Sequence, residues 1–335
     1  MNSFFSLIIC TYNRPESLQR LLVSVLNQTR RFDEVIVVDG SDELYQKKNQ
    51  LYTDNGNQVK YIRVDAPNRG LTNQRNIGLT HINEVCTHVT FLDDDLVLDP
   101  LFCFFIESSF NSSVDAVGIS GVDLVENRFI KFIPGQHYDN RRYFVFNNWV
   151  ALEPFRYRLR SFFGLMSQLP PDRIPKFGHG RNGFPPDSGL HQVDHIMGGI
   201  ATYKKDVFNH ISFSEKFKGY GLYEDFDFSV RASGIGNLYV NTSAKVWHYH
   251  DAAGRPNMFR YGRMVVRNGW YVWRLKHPNP GTNNILKWHA ITLLLAFLRL
   301  CNSFSVKKKQ GAFGDFLGRM VGWFSLFIVS PSKRL

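Results

Sequence analysis

Apolar positions along the first hundred residues keep two rhythms in turn. Residues 5–10 form a short unbroken apolar run, and residues 15–27 then carry Leu18, Leu21, Leu22, Val25 and Leu26 at helical spacing. Residues 34–39 are a β-branched run ending in an acid. A polar helix over 42–53, a strand over 59–64, a helix over 71–82 and a strand over 88–92 follow. Apolar runs joined by helices predict strands buried on both faces of a parallel α/β sheet. After Pro100 the rhythm weakens: 116–121, 129–133 and 143–150 read as strands, and 154–189 as a long irregular excursion of the kind that forms binding loops or lids. Strand pattern returns at 196–203, with a short helix near 204–210, a helix over 224–233 and two strands near 238–240 and 244–249.

With 44% hydrophobic and 21% charged residues, the 335-residue chain is globular in composition, not disordered or fibrous. Cys10, Cys86, Cys103 and Cys301 lack metal-site spacing and read as reduced thiols of a cytosolic compartment. The opening MNSFFSLIICTYNRP has no basic n-region or small-residue cleavage site, so it reads as a first strand and not a signal peptide.

The net charge of +11 is unevenly spread. From Arg255 onward fourteen Lys and Arg accompany a single acid, Asp315, so residues 255–335 carry +13 and residues 1–254 carry −2. The longest uncharged apolar run of this tail, 290–298, has nine residues and covers about half of a ~30 Å hydrocarbon core, too short to span. Phe313, Phe316, Leu317, Met320, Trp323, Phe324 and Phe327 recur at helical spacing behind Lys307-Lys308-Lys309, with Asp315, Arg319 and Ser325 largely off that stripe. Such a helix either lies in a lipid headgroup layer or packs on the protein's own core. Gly314, Gly318 and Gly322 permit close helix packing. The basic residues are interleaved with large aliphatics and no nucleic-acid module is recognisable, so no nucleic-acid partner is expected.

Polar residues gather where three strands end: Thr11-Tyr12-Asn13-Arg14, Asp39-Gly40-Ser41 and Asp93-Asp94-Asp95. In open α/β sheets ligands bind at the carboxyl ends of the strands. Three adjacent carboxylates repel one another and suit a hard cation such as Mg²⁺ or Mn²⁺, or else an acidic cap on the next helix. Glu224-Asp225 stands at a helix start, where Asp225 can take a proton from a hydroxyl and Glu224 can orient it; capping is the alternative. His248 and His250 share one side of a strand, placed for a metal, a phosphate or a structural role.

The blocks SLIICTYNRP, EVIVVDGSD, NRGLTNQRNIGL, TFLDDDLVLDP, GGIATYKKDVF and GYGLYEDFDFSVRASGIG together resemble the inverting family-2 glycosyltransferases of bacterial polysaccharide type. The resemblance covers about residues 5–250. It implies an α/β GT-A fold, a Rossmann-like mostly parallel central sheet flanked by helices, with a helical, basic, amphipathic C-terminal tail. Residues 1–254 would be the enzyme domain: a nucleotide-binding half over 1–100 and an acceptor-binding half over 101–254, with an irregular insert at about 125–195. Residues 255–335 would be a membrane-associating tail.

By position, the resemblance places Thr11, Tyr12, Asn13, Arg14, Asp39, Arg75, Asp93 and Asp94 at the nucleotide-sugar donor, with Asn76 supporting the Arg75 loop. Asp95, Asp93 and His248 would hold Mn²⁺ or Mg²⁺. Gly198, Gly199 and Glu224 would face the sugar and acceptor, and Asp225 would be the general base. The implied partners are a nucleotide-sugar, a saccharide or lipid-linked saccharide, and the inner face of the cell membrane. A nucleotidyltransferase on a similar sheet and a non-catalytic membrane-bound scaffold are the rival readings.

Overall fold

The computed structural model describes residues 3–54, 59–217, 219–250, 256–305 and 311–328. They fall into two units, Met1–Asn127 with Pro186–Gly254, and Arg128–Pro185 with Arg255–Leu335. The first unit opens with β1 (Phe5–Thr11), α1 (Pro15–Leu26), β2 (Glu34–Asp39), α2 (Glu43–Asp54), β3 (Val59–Arg63), α3 (Leu71–Leu79), β4 (His88–Asp93), β5 (Leu96–Leu98), α4 (Phe102–Ser112) and β6 (Ala116–Asp123). The second unit begins with β7 (Phe129–Lys131), β8 (Tyr143–Phe146), β9 (Trp149–Leu152) and α5 (Phe155–Phe162). The chain returns to the first unit for β10 (Leu190–Val193), β11 (Ile200–Lys204), α6 (Glu224–Ala232) and β12 (Asn237–His248). It ends in the second with α7 (Met258–Lys276), α8 (Thr282–Ser303) and α9 (Ala312–Ile328).

The main sheet runs β10-β12-β6-β11-β4-β1-β2-β3, with β5 paired to β12. β1, β2, β3 and β4 are mutually parallel, and β11 lies antiparallel to β4 and β6. Phe5, Leu7 and Ile9 of β1 bury with Val35 and Val37 of β2 and with Leu18, Leu21, Leu22 and Val25 of α1. Helix α1 begins at Pro15, whose missing N–H is no loss in the first turn. The register sets Thr11 beside Asp39 and Cys10 beside Asp93, so three strand ends are level.

Several elements depart from the sequence pattern. Residues 143–150 form no single strand: Asn147 and Asn148 both take positive φ, 44° and 60°, and turn β8 back onto β9. Asn is the side chain that best tolerates such a two-residue turn. The strands expected near 238–240 and 244–249 are one, β12, whose polar middle is part of the strand; Thr242 is fully buried. The helix expected over 71–82 stops at Leu79, and β10 lies inside the stretch expected to be irregular. Residues 128–185, expected within the acceptor-binding half of the enzyme domain, fall instead in one unit with the tail.

In that second unit α7 and α9 approach closely through glycine. A Cβ on Gly318 would collide with the Phe259 carbonyl oxygen, and one on Gly262 with the Asp315 carbonyl oxygen. Ala312, Asp315, Gly318, Gly322 and Leu326 make the buried side of α9. Asp315 is fully buried, paired with Arg319 at 2.8 Å and with Arg299 of α8 at 2.6 Å. Phe313, Leu317, Phe324 and Phe327 of the aromatic stripe are exposed, so these residues do not pack into the unit's core. Lys307-Lys308-Lys309 lie outside the described residues. The tail run expected to be too short to span is extended at both ends by α8, which among the described residues is the one helix long and apolar enough to cross a membrane by length and composition. Because a backbone carbonyl cannot yield as a side chain can, Gly318→Ala is expected to lower stability by about 1–3 kcal/mol, read as an earlier denaturant midpoint.

Candidate active site

Every residue of the candidate site belongs to the first unit. The loop after β1 is fastened to the loop after β2. Asn13, at φ 57°, donates from its backbone to Ser41 Oγ at 2.7 Å, and its side-chain amide donates to Asp42 Oδ2 at 3.0 Å. Tyr12 is exposed beside Arg69, whose guanidinium lies 5.7 Å from the ring centroid.

Asp39 is fully buried and already well supplied with donors. Its Oδ1 accepts from Ser41 N–H at 2.7 Å, and its Oδ2 accepts from Asn49 at 2.7 Å and the Tyr61 hydroxyl at 2.5 Å. The structure thus directs Asp39 at the chain's own loop and strand β3, and not at open space beside the strand ends. Asn49 and Tyr61 carry no motif of their own, so the sequence pattern gave no sign of this cluster.

The three acids after β4 separate into three environments. Asp94 is buried, accepting from Thr11 Oγ1 at 2.7 Å and Arg14 at 3.0 Å. Burial pushes its carboxyl up to about 7, with Arg14 and Thr11 opposing. Its contacts are internal, which differs from the expected donor contact. Asp95 meets Arg14 at 3.4 Å and His248 Nε2 at 2.9 Å. Burial pulls the His248 imidazolium down, but its bond to Asp95 and the nearby acids outweigh this and raise its pKa. Asp93 keeps a third of its side chain open and reaches Arg75 at 3.5 Å.

Arg75, from α3, has only 2% of its side chain exposed. Its guanidinium pairs with Glu224 Oε1 at 2.6 Å and lies 5.6 Å and 5.2 Å from the ring centroids of Phe91 and Phe213. Burial alone would lower its pKa; Glu224 and Asp93 raise it instead and hold it as a cation. The expectation that Arg75 approaches the diphosphate therefore meets a side chain already occupied by two acids. Asn76 exchanges hydrogen bonds with the Phe213 backbone at 2.9 and 3.0 Å and so fixes one aromatic wall of this site.

Gly198 and Gly199 join the acids of β4 to those of α6. A Cβ on Gly198 would stand 2.6 Å from Glu224 Oε1 and 2.8 Å from Asp225 Cβ, and one on Gly199 would collide with the Asp93 carboxylate. Only glycine leaves room for these carboxylates. Tyr223, just before α6, is held at φ 71°, an uncommon conformation for a bulky residue and one found at functional sites. Glu224 is buried, and its Oε2 accepts no hydrogen bond among the described residues. Half-buried Asp225 accepts from its helix at Phe226 N–H, 2.9 Å. Burial raises its pKa, with Phe226 N–H, Arg75 and the Gly198 N–H opposing and Asp93 adding to the rise.

Asp95, His248 and His250 present one carboxylate oxygen and two imidazole nitrogens within 4.8 Å of one another. His250 also meets Glu126 at 3.2 Å, and the two imidazole rings lie 4.1 Å apart. A mixed oxygen and nitrogen set of this kind fits a divalent transition ion such as Mn²⁺ better than Mg²⁺, which prefers oxygen alone. The i, i+2 histidine spacing marks His250 together with His248 in the sequence, although the ligand set implied by the resemblance leaves His250 out.

Residues 6–117 match the model of the family described as Glycosyl transferase family 2. A glucosyl-dolichyl phosphate glucuronosyltransferase of Haloferax volcanii is 29% identical over 277 residues, 79% of this chain and 74% of that protein. The minor teichoic acid biosynthesis protein GgaA of Bacillus subtilis is 32% identical over 117 residues, 31% of this chain and 25% of that protein. Among solved structures, S. aureus TarS 1–349 superimposes with a TM-score of 0.50 at 15% identity, covering 93% of this chain and 80% of that one. GalNAc-T7, solved with UDP, GalNAc and Mn²⁺, gives 0.54 at 15% identity, covering 88% and 57%. Residues 6–117 thus match glycosyl transferase family 2, and the chain shares with these solved structures a GT-A-like fold, a mostly parallel sheet flanked by helices.

Proposed function

We propose that the first unit transfers a glycosyl group from a nucleoside-diphosphate sugar to an acceptor hydroxyl, with inversion at the anomeric carbon. The observation that carries this reading is the Gly198-Gly199 pair, which lets Asp93 on one side and Glu224 and Asp225 on the other approach one space without a side chain between them. The Haloferax relative acts on a dolichyl phosphate sugar and the Bacillus relative serves teichoic acid synthesis by their names, which supports a lipid-linked or polymeric saccharide as acceptor.

The step is a single displacement. The acceptor oxygen forms its bond to the anomeric carbon as the bond to the diphosphate oxygen breaks, and the hydroxyl proton passes to Asp225. The upward shift of Asp225 makes it a better proton acceptor than an ordinary carboxylate. The open Oε2 of Glu224 is a ready acceptor for a sugar or acceptor hydroxyl, while Arg75 fixes Oε1. Asp95 and His248, with His250 beside them, would hold Mn²⁺, as would Asp93 if the bound nucleotide brings it closer. Such an ion neutralises charge on a departing diphosphate. Thr11 and Arg14 keep Asp94 and Asp95 in place, Asp39 braces the loop carrying Asn13 and Ser41, and Tyr12 offers an exposed ring for a base. The exposed aromatic face of the tail supports work at a membrane, on this reading the inner face of the cell membrane.

Asp225→Asn is expected to slow transfer about 100-fold or more while nucleotide binding persists; near-normal turnover would remove Asp225 from this role. Since Asp225 must be ionised to act, kcat/KM should fall as pH drops through a midpoint above about 4, the ordinary carboxylate value. A pH profile with no such acid limb contradicts the assignment. Asp95→Ala should abolish the extra thermal stabilisation that Mn²⁺ adds to a nucleoside diphosphate; an unchanged Mn²⁺ response would show the ligand set to be elsewhere. Release of pyrophosphate in place of nucleoside diphosphate would favour nucleotidyl transfer.

A further inference from the structure

Charge separates along the division between the two units. Arg128–Pro185 and Arg255–Leu335 together contain twenty-four of the forty Lys and Arg but four of the twenty-nine Asp and Glu, a net charge of +20 against −9 for the rest of the chain. Three of those four acids, Glu153, Asp172 and Asp315, are buried. Ten of the cations precede residue 186. The positive excess is therefore a property of the whole second unit and extends well beyond its C-terminal helices.

Helix α5 concentrates this character. Its sequence FRYRLRSF has three arginines and no acid. Arg160 turns inward, donating to the carbonyl oxygens of Leu165 and His179. Arg156 is exposed, and Arg158 is partly so. Phe155, Phe162 and the following Phe163 are 61%, 82% and 55% exposed, and Leu152 and Leu169 near them are 50% and 44% exposed. Scattered apolar residues on a surface need no explanation, but large aromatics exposed at both ends of one basic helix are a contiguous feature. At eight residues the helix is about 12 Å long, so it can lie on a bilayer but cannot cross one.

We propose that α5, with Phe163, is a second membrane-contacting element, separate in sequence from the C-terminal tail, that seats on an anionic phospholipid surface. The phenylalanine rings enter the interfacial layer while Arg156 and Arg158 meet lipid phosphate. A basic, acid-free helix with protruding aromatics matches anionic lipid in both its charge and its apolar part. The proposal extends the membrane portion of the reading above, and it assigns part of the long excursion to lipid contact where sequence pattern suggested an acceptor loop.

The test is quantitative partitioning of the full chain onto vesicles of phosphatidylcholine, alone or mixed with phosphatidylglycerol. The unaltered chain should prefer the mixed vesicles, and the double variant Phe162→Ser, Phe163→Ser should partition about tenfold more weakly, since two exposed rings lose their apolar contact. Arg156→Glu with Arg158→Glu should likewise weaken binding to the mixed vesicles. Partitioning of the phenylalanine double variant equal to that of the unaltered chain overturns the proposal, as does equal binding to both vesicle types. Thermal stabilisation by a panel of nucleoside diphosphates with Mn²⁺ is read in parallel, and both double variants should retain it. Absence of that stabilisation even in the unaltered chain, with vesicle binding intact, would count against glycosyl transfer and leave the lipid contact standing.

Discussion

A cation with almost no access to water organises the candidate active site. Arg75 lies against the touching rings of Phe91 and Phe213 and is paired with Glu224 and Asp93, acids that come from the start of α6 and the end of β4. Removing either partner of such a pair leaves an uncompensated buried charge, which is far more costly than the pair itself is stabilising. The arrangement therefore makes the positions of α3, β4 and α6 interdependent. Asp225 follows Glu224 directly, so the same ion pair sets where the proposed base stands.

Around that centre the structure spends polar groups on support as much as on ligand contact. Thr11 and Arg14 are directed at Asp94, and Asp39 at Ser41, Asn49 and Tyr61. These buried bonds fix loops whose outward atoms, in Asn13, Tyr12 and Asp93, remain nearer the surface. Buried acceptors that are fully supplied rigidify a site, whereas one left open, as Glu224 Oε2 is, invites a ligand hydroxyl.

Much of the parallel half of the sheet was legible from apolar periodicity, because β1, β2 and β4 are buried on both faces and bounded by polar residues. The gathering of strand ends was legible for the same reason. The turn at Asn147-Asn148 and the unbroken run of β12 were not, since a short apolar run cannot reveal a reversal and a polar stretch can hide inside a strand. Nor could spacing alone divide three consecutive aspartates. That division depends on Thr11 and Arg14 where β1 ends, Arg75 of α3 and His248 of β12, which come from three other parts of the chain. The tail's charge was visible early, but its union with residues 128–185 rests on long-range packing that no local pattern encodes.

A crystal grown with Mn²⁺ and a nucleoside diphosphate gives the most direct test of the central claim, that acids distant in sequence gather around one donor. The account predicts an anomalous manganese peak bounded by Asp95 and His248, with the diphosphate beside it and Asp93, Glu224 and Asp225 facing the space where the sugar would attach. A nucleotide bound elsewhere on the first unit, or manganese away from Asp95 and His248, would contradict it.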